Sequence, residues 1–249
     1  MHKCWAAPLG DCSDKLSREH VISDSVFEST KVKVKGMSWC LDEWKEISLK
    51  SLVRKTLCES HNSRLSETDN AAMGLRKTLC ESADLSTARA SVSSTKWNVR
   101  TFAVDGRKLE RWFLKTLMSL AFGGAFLIGA DSSEPGAPSL PLVRAAFGVQ
   151  DLGNDRAGLY LLSGSGSEIT VREGVVINTF IGDSGRLEGA RFWFWGMRFL
   201  LLLSEEGSRP PWTFTTKSGE VQQEKALYHP CRIGMAVQGT ESHVFNFKW

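Results

Sequence analysis

No apolar stretch of this sequence is long enough to cross a bilayer. The longest, Phe192 to Leu203, falls short of the roughly 20 residues a membrane helix needs and carries Arg198. The amino terminus, Met1-His2-Lys3-Cys4-Trp5, lacks the apolar core of a secretory signal, so the chain reads as cytoplasmic and without a membrane partner. A disulfide framework is also missing. The six cysteines, at positions 4, 12, 40, 58, 80 and 231, are spread along 249 residues, and cysteines near histidines in such a chain read as metal ligands. Strong charge of one sign is absent too, since the net charge is only +3. Its distribution is uneven, however. Residues 1–115 hold 20 of the 31 Lys and Arg against 15 of the 28 acids, whereas the remainder holds 11 against 13. A basic front half suits a phosphate-rich partner, and a plain solvated surface is the alternative.

With 42% hydrophobic and 24% charged residues, the chain has enough apolar material for a core in one large or two modest domains. Residues 1 to about 70 are short, polar and punctuated. Within them, Lys31-Val32-Lys33-Val34-Lys35 alternates charged and apolar residues and predicts an exposed strand. A helix is expected to start near Cys58 or Ser60, and another to occupy much of 75–100. Between Gly106 and Ile128, Leu109, Trp112, Phe113, Leu117, Leu120 and Ala121 recur at helical spacing, with basic residues between them. That pattern predicts a helix whose apolar stripe packs on a core. The segment Ala130 to Pro141, with three prolines and several small polar residues, reads as a linker or long loop.

After it the chain turns β-rich. Predicted strands are Leu159–Leu162, Ile169–Arg172, Val175–Ile181, Ala190–Phe194, Arg198–Leu203, Ile233–Val237 and Val244–Trp249, several separated by Gly-rich turns at 163–166 and 182–185. The expected class is α+β, in three parts: an N-terminal zinc-bound module at 1–100, a bridging helix at 101–130, and a mostly antiparallel β domain at 142–249, as a sandwich or curled sheet. One internal echo stands out: Arg54-Lys55-Thr56-Leu57-Cys58-Glu59-Ser60 recurs as Arg76 to Ser82. The second copy continues Ala83-Asp84 where the first continues His61-Asn62, so it reads as a local duplication.

Three pieces of the front segment belong together: Cys4 with Cys12, the run Lys15 to Ser23 containing Glu19-His20-Val21-Ile22, and the run Leu57 to Ser66 containing Cys58-Glu59-Ser60-His61-Asn62. Cys58 and His61 have the spacing by which a helix N-terminus presents two ligands to one zinc ion, and Cys4 and Cys12 would complete a tetrahedral Cys₃His set. Seven residues separate Cys4 from Cys12, where a zinc knuckle usually has two to four, and Cys40 beside Trp39 is the alternative fourth ligand.

Over residues 4 to 70 the sequence resembles the HNH (ββα-metal, treble-clef zinc) endonuclease superfamily, which joins a zinc knuckle, an acid-His-apolar-apolar strand and a Leu-Cys helix start. The resemblance implies a DNA endonuclease with a structural Zn²⁺ and a catalytic Mg²⁺ or Mn²⁺. His20 would be the general base, Glu19 and Asn62 ligands of the catalytic ion, and Cys4, Cys12, Cys58 and His61 the zinc site. It also implies likeness to bacterial effectors that restrict invading DNA, as an antiviral defence. The Asn that orients the base in this family has no counterpart between His20 and Cys58, a segment without any Asn; Ser48, Ser51 or a backbone carbonyl is left to do so. The competing class is a non-catalytic zinc-stapled module that docks nucleic acid or protein, and homo-oligomerisation is left open.

The second half offers less chemistry. His229-Pro230-Cys231 reads as structural because no partner pair stands near it. The aromatic group Phe192-Trp193-Phe194-Trp195, with Trp212, Phe214, Phe245, Phe247 and Trp249 and flanked by Arg191, Arg198 and Arg209, is either a core face or a base-stacking platform. Alternation along strands favours the core. The run Asp105 to Trp112 fits a turn and a helix start.

Overall fold

The structure is a computed structural model that describes residues 4–22, 26, 31–37, 39–94, 96–129, 131–152, 157–163, 175–182, 184–194, 197–203, 213–215, 221–223, 225–227 and 231–249, with backbone alone at 163, 175, 194 and throughout 213–236. The predicted strand Ile169–Arg172, the turn at 164–166 and the side chains of Trp195, Arg209, Trp212, Phe214, His229 and Cys231 lie outside that description.

The chain is mixed α+β. A short strand β1 (Glu19–His20) is followed by β2 (Lys31–Lys35), β3 (Lys45–Ser48) and β4 (Val53–Arg54). Helices α1 (Glu59–Arg64) and α2 (Ser66–Ala90) come next, then β5 (Arg100–Asp105) and α3 (Gly106–Ala121). Beyond them lie β6 (Leu127–Ile128), α4 (Leu140–Ala146) and the strands β7 (Gly158–Ser163), β8 (Val175–Ile181), β9 (Arg186–Phe194) and β10 (Met197–Leu202). The chain ends in β11 (Thr213–Thr215), β12 (Val221–Gln223), β13 (Lys225–Leu227), β14 (Cys231–Val237) and β15 (Thr240–Lys248). No helix among the described residues is long and apolar enough to cross a membrane.

The large sheet runs β13-β7-β10-β9-β8-β2-β3, with β6 against β9; a smaller one runs β14-β15-β5. The alternation of Lys31 to Lys35 does form a strand, and its inward residues Val32 and Val34 are fully buried. Its neighbour is the finding. β2 pairs in parallel with β8, so front and rear of the chain share one sheet. The boundary drawn near residue 100 is thus crossed by backbone hydrogen bonds, and one apolar core runs from Cys4 to Phe247. Non-local pairing of this kind leaves no mark on local periodicity. Register lines up Val34, Ile177, Phe192, Phe199 and Leu161 across five strands, and all five belong to that core. Gly36, at φ +84°, ends β2 where any Cβ would meet the Thr179 carbonyl oxygen at 2.4 Å, so only glycine lets the hairpin turn so close to β8.

Helix α3 is the element periodicity reads best. Asp105 caps it by accepting from the Lys108 amide at 3.0 Å, and its stripe drives Phe113 between Phe192 and Phe199, with ring centroids 4.7 and 5.0 Å away. It stops at Ala121, and Leu127–Ile128 is a strand, not a helical continuation. The proline-rich segment is shorter as a loop than expected: Pro141 opens α4 in the first turn, where its missing N–H costs nothing.

A buried polar cluster ties α2 to the smaller sheet. Ser82 Oγ lies 2.6 Å from His243 Nε2, His243 Nδ1 is 3.2 Å from Ser242 Oγ, and Arg89 donates to Ser242 Oγ at 2.8 Å. Burial, with Arg89 adding to it, pushes the His243 pKa down from 6.5. A base whose folded pKa is depressed adds stability that is full above its unfolded pKa and is lost as pH falls below that value. Chemical denaturation at about pH 7.5 and about pH 5.5 is therefore expected to show about 1 kcal/mol of acid destabilisation from this group. His243→Asn should remove that increment, and an unchanged pH dependence in the variant would refute the assignment.

Candidate metal centre

Three local features bring the N-terminal ligands together. The Trp5 amide donates to the Thr56 carbonyl at 2.9 Å, which lays the first residues along the segment leading into α1. Leu16 bridges to Cys58, and the Glu59 amide donates to the Lys15 carbonyl at 3.0 Å, closing the loop that carries Cys12. Cys58 is the N-cap of α1, its sulfur accepting from the His61 amide at 3.5 Å, so His61 stands one turn further on the same face.

The outcome is a compact donor set. Around His61 Nδ1, the sulfurs of Cys58, Cys4 and Cys12 lie at 3.1, 3.5 and 3.6 Å. The four ligand atoms all fall within 4.8 Å of one another. Tetrahedral zinc with bonds of about 2.3 Å to sulfur and about 2.0 Å to nitrogen would set each S···N separation near ~3.5 Å. The cluster therefore fits a metal ion such as zinc. Cys4, Cys58 and His61 are buried, while Cys12 is exposed. The long Cys4–Cys12 spacing is taken up by a 3-10 turn at Ala7–Leu9 and by Gly10 and Asp11, both at positive φ. Cys40 is elsewhere: its sulfur meets the Val34 carbonyl oxygen at 3.6 Å in the β2–β3 hairpin.

Electrostatics around the set are uneven. Burial pushes the Cys4 thiol up to about 12, against the Cys58 amide, which donates to its sulfur at 3.3 Å. Burial acts in the same direction on Cys58, but backbone donors from His61 and Ser13 outweigh it and hold that thiol at about 7. The His61 pKa is lowered by burial and by nearby Arg64, which keeps the ring neutral and able to ligate. Its far side, Nε2, has no hydrogen-bond partner among the described residues; the ring stands edge-on to Phe147 at 5.4 Å. Phe147 also packs on Trp5 and lies under Arg64, so apolar cover takes the place of the usual polar outer shell.

The other predicted site residues lie around this centre. His20 is half-buried on β1, opposite Val53 of β4. Asn62, just after the ligand His61, donates through Nδ2 to Ser17 Oγ at 3.0 Å, on the stretch that leads to His20. Glu19 points the other way along the pleat, into the core. Thr56 donates to its Oε1 at 2.7 Å, and Lys115 Nζ stands 3.9 Å from Oε2 and 3.0 Å from Asp69 Oδ2. Burial raises the Glu19 pKa, an effect that Lys115 opposes. Sequence reading missed Lys115 entirely. It stands among apolar residues of α3 as one more basic position, and nothing local marks it as the partner of an acid in β1. Comparison of the chain with family models, curated proteins and solved structures finds no match.

Proposed function

We propose that the chain is a metal-dependent DNA endonuclease of HNH type. The observation that carries this reading is the pairing of β1 with β4 immediately before α1. Two antiparallel strands and a helix thereby join the His20 strand to the helix start that holds Cys58, His61 and Asn62. In this reading Cys4, Cys12, Cys58 and His61 hold zinc, which substitutes for core and carries no chemistry. His20 accepts the proton of the attacking water, whose oxygen forms the new bond to phosphorus as the bond to the leaving sugar oxygen breaks. A divalent ion, Mg²⁺ or Mn²⁺, supplies charge neutralisation at the phosphate when bound, and Asn62 is the residue beside His20 that would hold it. Glu19 anchors β1 through Lys115 instead of serving that ion. The basic front half attracts the DNA.

Plasmid nicking by zinc-retaining protein with Mg²⁺ or Mn²⁺ tests the proposal. His20→Ala is expected to lose about a hundredfold or more of the rate while keeping its zinc. Equal cleavage by both proteins would remove His20 from the mechanism. No cleavage by either, with stoichiometric zinc, would favour the second reading, a zinc-stapled docking module; the engagement of Glu19 with Lys115 is what speaks for it.

A further inference from the structure

The large sheet has a second face. One residue along from the core row, register lines up Lys33, Val176, Trp193, Arg198 and Leu162 across β2, β8, β9, β10 and β7. The next row on the same face is Lys35, Asn178, Arg191, Leu200 and Tyr160. The two ends of this face differ. Toward β7 it is closed by a small apolar cluster of Tyr160, Leu162, Leu200 and Leu202. Toward β2 it meets water, with Lys33 exposed and Lys35, Asn178, Arg191, Trp193 and Arg198 half-buried.

Neither row contains an acid. The adjoining carboxylate, Glu46, faces Lys33 from β3 but is taken by Lys31 at 2.6 Å. Four cations therefore surround one indole. Strands about 4.8 Å apart place Lys33 and Arg198 roughly 14 Å from each other, the span of a few nucleotides. A pleated surface carrying one aromatic ring amid positive charge suits a polyanion with flat bases: the ring stacks and the cations track phosphates. An acidic peptide would use the charge but leave the indole without a stacking partner. Duplex DNA would offer phosphates but keep its bases stacked on each other.

We propose that this face binds single-stranded nucleic acid, with Trp193 stacking on a base and Lys33, Lys35, Arg191 and Arg198 lying along the phosphates. The inference uses none of the chemistry of the zinc module and stands apart from the cleavage reading. It also makes the aromatic run double-sided: Phe192 is core, whereas Trp193 faces the ligand.

The test is fluorescence anisotropy of a labelled oligothymidylate of about 20 nucleotides with the full zinc-retaining chain, titrated over salt without Mg²⁺ or Mn²⁺. Binding should weaken steeply as salt rises. The surface variant Lys33→Ala/Lys35→Ala should bind at least about tenfold more weakly at low salt and show a log–log salt slope smaller by about 1.4. Trp193→Ala should weaken binding about tenfold at every salt, with Trp193→Phe restoring most of it. Unchanged affinity and slope in the double-lysine variant would overturn the proposal, even if Trp193→Ala fails to fold. So would absence of binding by the parent, or a duplex bound as tightly as the single strand with no response to Trp193→Phe or Trp193→Ala. Because no divalent ion is present, His20→Ala should bind like the parent. Loss of nicking without loss of binding, or the reverse, therefore separates this inference from the nuclease reading.

Discussion

Cys58→Ser is expected to release the metal and to cost at least about 4 kcal/mol of stability, which lowers the melting temperature by roughly 10 °C in a chain of this size. The size of the effect follows from the number of jobs this residue has. Its sulfur is a ligand, it caps α1, and its amide steadies the Cys4 sulfur at 3.3 Å. Serine can keep the cap, so the loss would report mainly the missing metal bond. Without the ion, the remaining donors are left packed against each other with nothing to bind. Cys40→Ser is the control, because that sulfur sits in the β2–β3 hairpin and should leave the zinc content unchanged. Metal analysis beside thermal melts reads both variants. Equal zinc and equal melting temperature for Cys58→Ser and the parent would reduce the cluster to buried thiols.

The second large effect is expected at Lys115. Its ammonium is buried between Glu19 and Asp69, at 3.9 and 3.0 Å. Lys115→Ala leaves Glu19 in the core without a counter-charge and should cost about 3–5 kcal/mol near neutral pH. The pH dependence separates electrostatics from lost packing. Burial already raises the Glu19 pKa above 4.5, and removing Lys115 takes away the charge that opposes the rise. An acid with a raised folded pKa contributes stability that is full below its unfolded value and is lost as pH rises through the folded one. The variant's deficit should therefore be smallest below the ordinary carboxyl range and grow toward neutrality, and Glu19→Gln in the same background should recover part of it. Denaturant titrations across pH measure this, and a deficit constant with pH would assign the loss to packing alone.

These two sites differ in how far the sequence announces them. Cys58 and His61 are one helical turn apart in the chain, and a C-x2-H spacing already states that geometry. Cys4 and Cys12 needed only a short segment folded against Thr56 to join them. Glu19 and Lys115 share no local pattern, since their contact exists only once α3 packs behind β1. The adjacency of Glu19 and His20 suggested a shared chemical task, whereas a strand sends neighbouring side chains to opposite sides. Helix α3 and the strand at 31–35 were legible because amphipathic periods record burial. The partner of that strand was not, because a parallel neighbour far along the chain leaves no periodic trace. Trp193 shows the same limit: alternation distinguishes two faces but does not say what the second face meets.

The parallel pairing of β2 with β8 also has a temporal side. On the ribosome, Val32 and Val34 emerge long before Ile177 has been made, and at ordinary synthesis rates that interval is on the order of ten seconds. Through it, the β2–β3 hairpin presents an open strand edge and an uncovered apolar side, the state in which chains aggregate or recruit chaperones. The lysines at 31, 33 and 35, which suit an anionic ligand in the finished protein, would meanwhile discourage edge-to-edge association between nascent chains. A fragment ending before β8 would keep that exposed edge permanently, so the front of this protein is born early but completed late.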